Sequence, residues 1–351
     1  MSGSTESTVN PAEKAVAEGR NDPVALPRET LLAMHRTMVR IRLFEERVRT
    51  DYLARKMPGF THSYVGEEAV ATGGCAALEP GDLITSTHRG HGHAIAKGVG
   101  VGPMMAELYG KATGTCIGRG GSMHIADFSL GMLGANGIVG GGFGLAAGAA
   151  LAATFRGTRD VTLCFFGDGA INKGTFHEGL NFSAVRKLPV VFLCENNQFA
   201  QYTAVERMTA VRDLATRAGA YGIPGRTVDG NDVLAVHAAV AEAAARARRG
   251  AGPSLIVADT YRFYGHNVGE AVAYRTKEEV ERRREQDPIP RYERWLEANG
   301  YLDEAGHKAV RDEVGEEVEA SVRFALDSPD PDPATALDDL FAPTHAAWST
   351  L

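Results

Sequence analysis

Two segments, residues 161–166 and 190–194, are near-continuous apolar runs with β-branched and aromatic content. Runs of that length and composition predict strands buried on both faces. Between them, residues 175–186 are long enough for the crossover helix of a βαβ unit. Further strands are predicted at 82–86, 225–228 and 254–261. Helical periodicity is clearest in residues 31–56, where Met34, Met38, Ile41, Phe44 and Val48 share one face. Other helices are expected at 67–78 (ended by Pro80-Gly81), 101–109, 143–154, near 211–221, and at 234–248. Strands alternating with helices imply an α/β fold, a doubly wound and mostly parallel sheet.

The connections are informative too. A glycine–histidine loop is expected after the 82–86 strand, and residues 198–207 read as irregular. Glycines are dense from 110 to 142, which points to backbone passing close to a ligand. Residues 131–155 are uncharged but hold eight glycines, too little apolar surface for a membrane span. A tightly packed internal helix behind a ligand-facing loop explains that stretch better. Residues 276–286 predict a charged, solvated helix. The expected organisation is one domain at 28–325, between a flexible N-terminal arm at 1–27 and an extended C-terminal tail at 326–351.

Composition narrows the function. The 351 residues carry 37 Lys plus Arg against 44 Asp plus Glu, a formal charge of −7. No basic stripe for nucleic acid is expected from that balance. Cys75, Cys116, Cys164 and Cys194 lack metal or redox spacing and read as reduced thiols of a cytoplasmic protein. The N-terminus has no apolar core of a secretory signal.

The chemistry concentrates where the two strongest strands end. Gly167-Asp168-Gly169 follows the first, and Asn196-Asn197 follows the second after twenty-six intervening residues. Open α/β sheets bind ligands at the carboxyl ends of their strands. One carboxylate and one amide oxygen make a sparse hard-oxygen set that suits Mg²⁺ carrying a diphosphate. Gly169 and Ala170 would offer backbone N–H groups to that diphosphate. His62, His88, His91 and His93 raise zinc as an alternative. Against it, no Cys or carboxylate is interleaved and glycines separate the histidines. Residues 142–147 also fit a dinucleotide fingerprint, but no apolar strand precedes them and Asp160 is misplaced for the ribose.

This arrangement of motifs resembles the α subunit of the decarboxylating component of 2-oxoacid dehydrogenase complexes, from about Arg28 to about Pro290. Gly66-Glu67-Glu68-Ala69, Gly120-Gly121-Ser122-Met123-His124, Asn136-Gly137-Ile138-Val139-Gly140 and Thr260-Tyr261-Arg262-Phe263-Tyr264-Gly265-His266 carry the likeness. The stretches 86–93, 134–141 and 229–234 look most like the acetoin dehydrogenase branch. The resemblance implies thiamine diphosphate, with Mg²⁺ held by Asp168, Asn197 and the carbonyl of Phe199. It implies cofactor contacts from His88, Arg89, Gly137, Val139, Gly167, Gly169, Ala170 and Arg262. His266, His62 and His91 are the implied catalytic side chains, His266 in acyl transfer, while His124 is expected to close a glycine loop. Also implied are a β subunit that completes the site, most often as two α and two β chains, and a lipoyl-bearing acyltransferase. The small carbonyl substrate is acetoin, or a 2-oxoacid such as pyruvate or a branched-chain acid. Two departures bear on activity, Lys173 where Gln is usual and the altered stretch 198–203; a third, Asn267 where animal pyruvate dehydrogenase has a phosphorylated serine, implies that this form of control is absent. A catalytically silent assembly subunit is the remaining alternative.

Overall fold

A computed structural model describes residues 26–338. The expected arm at 1–27 therefore lies almost wholly outside the described residues, as does the tail from 339 onward. Helix α1 spans Arg28–Leu53, followed by α2 (Glu68–Ala76), strand β1 (Leu83–Thr85), α3 (His91–Lys97) and α4 (Val101–Leu108). After a long glycine-rich stretch come α5 (Gly141–Arg156), β2 (Thr162–Gly167), α6 (Gly174–Val185) and β3 (Val190–Asn196). A small hairpin, β4 (Phe199–Ala200) and β5 (Thr203–Ala204), leads through α7 (Val205–Met208) to β6 (Gly225–Asp229). The described chain ends with α8 (Val233–Arg248), β7 (Ser254–Asp259), α9 (Lys277–Arg284), α10 (Pro288–Ala298) and α11 (Glu304–Asp327).

Five strands form one parallel sheet in the order β1-β2-β3-β7-β6. Because strand side chains alternate, each apolar run feeds two layers. Leu163, Phe165, Val191, Leu193 and Ile256 pack into one core with α1, α2, α4, α8 and α11. Cys164, Phe166, Phe192, Cys194 and Val257 pack into the other with α5 and α6. Burial on both faces is why these runs lack the polar alternation of a half-exposed sheet. The predicted stripe of α1, from Met34 to Val48, is fully buried. Each such side chain contributes ~1.5–3 kcal/mol by leaving water.

Four expectations need correction. The glycine–histidine loop is shorter than expected, because α3 begins at His91 directly after Gly90 and takes in its last three residues. Its glycines serve close packing: a Cβ on Gly92 would lie 2.2 Å from the Tyr64 ring. Helix α5 is not internal. Phe143, Ala146 and Ala150 are buried, whereas Leu145 and Phe155 are exposed and Gly144 and Gly148 face open space. Two long helices, α10 and α11, occupy a region where no element was predicted, and α11 packs along α1 and α4. The tail is not extended from 326, since α11 runs to Asp327 and a short turn follows at Pro333–Thr335. No described helix is long and apolar enough to cross a membrane.

Candidate active site

Strand β2 ends at Gly167, which pairs with Glu195 of β3. That register sets Asp168 beside the two asparagines at the sheet's carboxyl edge. A tight turn at Asp168–Asn172 follows at once, and Gly169 there lies against the hairpin; a Cβ on it would meet that of Ala200 at 2.9 Å. The Asp168 carboxyl is 1% exposed, and its Oδ2 has no hydrogen-bond partner among the described residues. Burial pushes it up to about 7, with only partial relief from the Gly169 N–H and the Arg262 charge.

The two asparagines behave differently. Asn196 donates to Asp259 at 2.7 Å. Asn197 donates to both oxygens of Glu67, at 3.3 and 3.1 Å, which turns its own Oδ1 away from that carboxylate. Gln198 then adopts a left-handed φ of 78°, a conformation unfavourable for a side chain with a Cβ. The bend brings the Phe199 carbonyl back toward the same cavity, where Arg262 donates to it at 3.5 Å.

Asp168, Asn197 and Phe199 line a cavity of ≈ 390 Å³. Ten of the eleven other residues expected at the site also line it. Gly167, Gly169 and Ala170 come from the β2 turn, Gly137 and Val139 from the glycine-rich loop, and Arg89 and Arg262 from the segments after β1 and β7. His62, His88 and His266 complete it, with ring centroids 4.7, 4.8 and 5.4 Å apart. His91 is not brought there. It is fully buried on α3, with Nδ1 2.9 Å from Glu45 and Nε2 2.9 Å from Ser122. Both ring nitrogens are thus committed inside the core. His93 is likewise held between Ser86 and Glu195, so the four-histidine zinc grouping does not assemble. His124 bonds the Gly120 carbonyl at 2.9 Å and closes the glycine loop, as expected.

The electrostatics of the cavity are unbalanced. Arg89 and Arg262 are 3% and 1% exposed. Arg89 is fastened to the carbonyls of Ser63 and His266, and Arg262 to those of Gln201 and Tyr264. Burial and the facing Arg262 charge hold Arg89 down to about 10. Burial, then Arg89, depresses His62 to about 3, His88 to about 2 and His266 to about 4, so all three rings are neutral at pH 7. A buried carboxylate with a spare oxygen calls for a cation, and two crowded guanidiniums call for an anion. A metal diphosphate supplies both, so the residues present fit that group.

Residues 36–334 match the family described as the dehydrogenase E1 component. The chain belongs to that family. It is 52% identical over 327 residues to the α subunit of acetoin:2,6-dichlorophenolindophenol oxidoreductase from Bacillus subtilis (strain 168), covering 92% of this chain and 96% of that one. It is 48% identical over 328 residues to the protein of the same name from Cupriavidus necator, covering 93% and 98%. The pyruvate dehydrogenase E1 component α subunit of Rhizobium meliloti (strain 1021) is 39% identical over 338 residues, covering 96% and 97%. The resemblance read from the sequence is borne out, and with it the class of a thiamine-diphosphate-dependent oxidoreductase.

Two residues of this E1 chain escaped the sequence reading. Glu67 and Glu195 are both buried beneath the cavity, and Glu195 accepts from Tyr64 and bonds His93 at 2.8 Å. Burial, then the Glu195 charge, raises Glu67 to about 8. A signal existed for Glu195, a lone carboxylate closing an otherwise apolar strand. Glu67 stood only within the Gly66–Ala69 stretch that carries the family likeness, with no role attached to it.

Proposed function

We propose that this chain is the α subunit of an acetoin-cleaving dehydrogenase that uses thiamine diphosphate with Mg²⁺ and delivers the acyl group to a lipoyl carrier. The observation that carries the proposal is the pairing, in one buried cavity, of the unpartnered Asp168 oxygen with the Arg89 and Arg262 guanidiniums. Asp168, Asn197 and the Phe199 carbonyl hold the metal. Arg89 and Arg262 take phosphate oxygens, which planar guanidinium groups bind two at a time. When bound, the cofactor supplies a carbon nucleophile and an electron sink. Neutral His62, His88 and His266 provide ring nitrogens for hydrogen bonds to the substrate oxygen and for proton transfer. Two of these, Nδ1 of His62 and Nδ1 of His266, have no partner among the described residues.

A β subunit is part of the reading. The cavity wall at Gly137 and Val139 adjoins an apolar surface in which Ile138 is 74% exposed and Leu145 is 51% exposed. Such a surface favours a protein partner over solvent. Acetoin is preferred as substrate because the acetoin relatives are 52% and 48% identical, against 39% for the pyruvate relative. Pyruvate is the second reading, favoured by that same relative.

Calorimetric titration of thiamine diphosphate and Mg²⁺ into the αβ complex tests the proposal. Magnesium-dependent binding that Asp168→Ala abolishes supports it, and turnover with acetoin or pyruvate then separates the two readings. An intact complex that binds no cofactor refutes it and leaves a silent assembly subunit.

A further inference from the structure

Outside the cavity, a second polar cluster is buried where α1, α10 and α11 meet. His35 of α1 is fully buried, and His307, in the first turn of α11, is 2% exposed. Their rings stand edge to face with centroids 4.8 Å apart. His35 Nε2 lies 2.9 Å from Oε1 of Glu293. His307 Nε2 lies 3.4 Å from Oε1 of Glu297, without the alignment of a hydrogen bond. One donor atom from each of His35, Glu293 and His307 falls within 4.8 Å of the others.

Three imidazole nitrogens here, Nδ1 of His35 and both nitrogens of His307, have no hydrogen-bond partner among the described residues. A buried polar atom left unpaired costs ~1–3 kcal/mol, so His307 Nε2, which faces a carboxylate without bonding it, needs an explanation; a metal shared by the two Nε2 atoms supplies one for that nitrogen. Glu293 and Glu297 sit four residues apart on α10 and share the face that meets the two imidazoles. Three ligand atoms, two nitrogen and one oxygen, therefore converge from three helices, and Glu297 stands beside one of them, 3.4 Å from His307 Nε2, as a fourth.

Two of the separations suit a tetrahedral metal. Bonds of about 2.0–2.1 Å separate neighbouring ligand atoms by about 3.3 Å, and the 2.9 and 3.4 Å pairs bracket that value. Imidazole with carboxylate suits Zn²⁺, whereas Mg²⁺ and Ca²⁺ take oxygen alone. Arg311 holds Glu293 from outside at 2.8 and 3.2 Å, as outer partners orient ligating carboxylates. Glu297 also lines a surface groove with Arg28, Tyr301 and Asp303.

We propose that His35, Glu293, Glu297 and His307 form a closed structural Zn²⁺ site that clips α10 and α11 to α1. The site is independent of the cofactor cavity and of the function assigned to it.

The test is titration of the chelator-stripped full-length chain with Zn²⁺, and with Co²⁺ as a spectroscopic probe. One equivalent should bind, Co²⁺ should show tetrahedral d–d absorption, and the melting temperature should rise. Glu297→Ala removes a half-exposed side chain, so the metal-free protein should melt unchanged while its zinc affinity drops at least ~10-fold. His307→Gln should abolish uptake, and His62→Gln, among the cavity histidines, should leave it intact. No uptake, uptake that survives both Glu297→Ala and His307→Gln, or uptake lost in His62→Gln overturns the proposal.

Discussion

Asp168→Asn should stabilise the cofactor-free chain while destroying its metal site. Burial pushes the folded Asp168 carboxyl up to about 7, against an ordinary value of 3.8. Its folded value is the higher, so its stability contribution is full below pH 3.8 and is lost as pH rises through 7. The difference, 7 − 3.8, is about 3 pH units, or about 4 kcal/mol as an upper limit. Asparagine keeps an acceptor for the Gly169 and Gln198 N–H groups but buries an unpaired Nδ2, which takes back ~1–3 kcal/mol. A net gain of about 1–3 kcal/mol is expected at pH 8, with little or none at pH 4. Urea melts of both chains at the two pH values measure it. Thermal melts with Mg²⁺ and thiamine diphosphate should show a rise in the wild type alone. An Asp168→Asn chain no more stable than wild type at pH 8, or a gain equal at both pH values, would refute the assignment of a strained, cation-seeking carboxylate.

Three other outcomes are expected. His266→Gln should lower acyl transfer by ~10²–10⁴-fold with cofactor affinity unchanged, as measured by steady-state kinetics beside calorimetry. Arg262→Lys should weaken cofactor binding ~10-fold or more, because lysine cannot keep the Gln201 carbonyl at 2.8 Å and the Tyr274 hydroxyl at 3.0 Å while meeting a phosphate. The depressed His62, His88 and His266 lie below their unfolded values, so their contribution is lost as pH falls from about 6.5 toward 4. Denaturation between pH 7.5 and 5 in the Asp168→Asn background should show that loss, and His88→Gln should flatten it.

What the sequence determined is local. The apolar runs fixed β2, β3 and β7 because strands buried on both faces must be apolar throughout, and a turn in the chain had to follow each one. Asp168 and Asn197 were legible because each sits directly after its strand. Helix α11 also carried a readable signal, with Val310, Val314, Val318 and Val322 at four-residue steps. What only the tertiary structure decided is how distant segments share one charge environment. His62, His88 and His266 come from three loops, and nothing in their spacing puts their rings about 5 Å apart. His91 and His88 looked alike as letters, yet α3 turns one toward Glu45 inside the core and leaves the other at the cavity. Glu67 looked like a helix-start residue until burial and the Glu195 charge raised its proton affinity. Periodicity reports which face of an element is apolar; the charges that fold against that face depend on long-range packing, and they set the chemistry of the site.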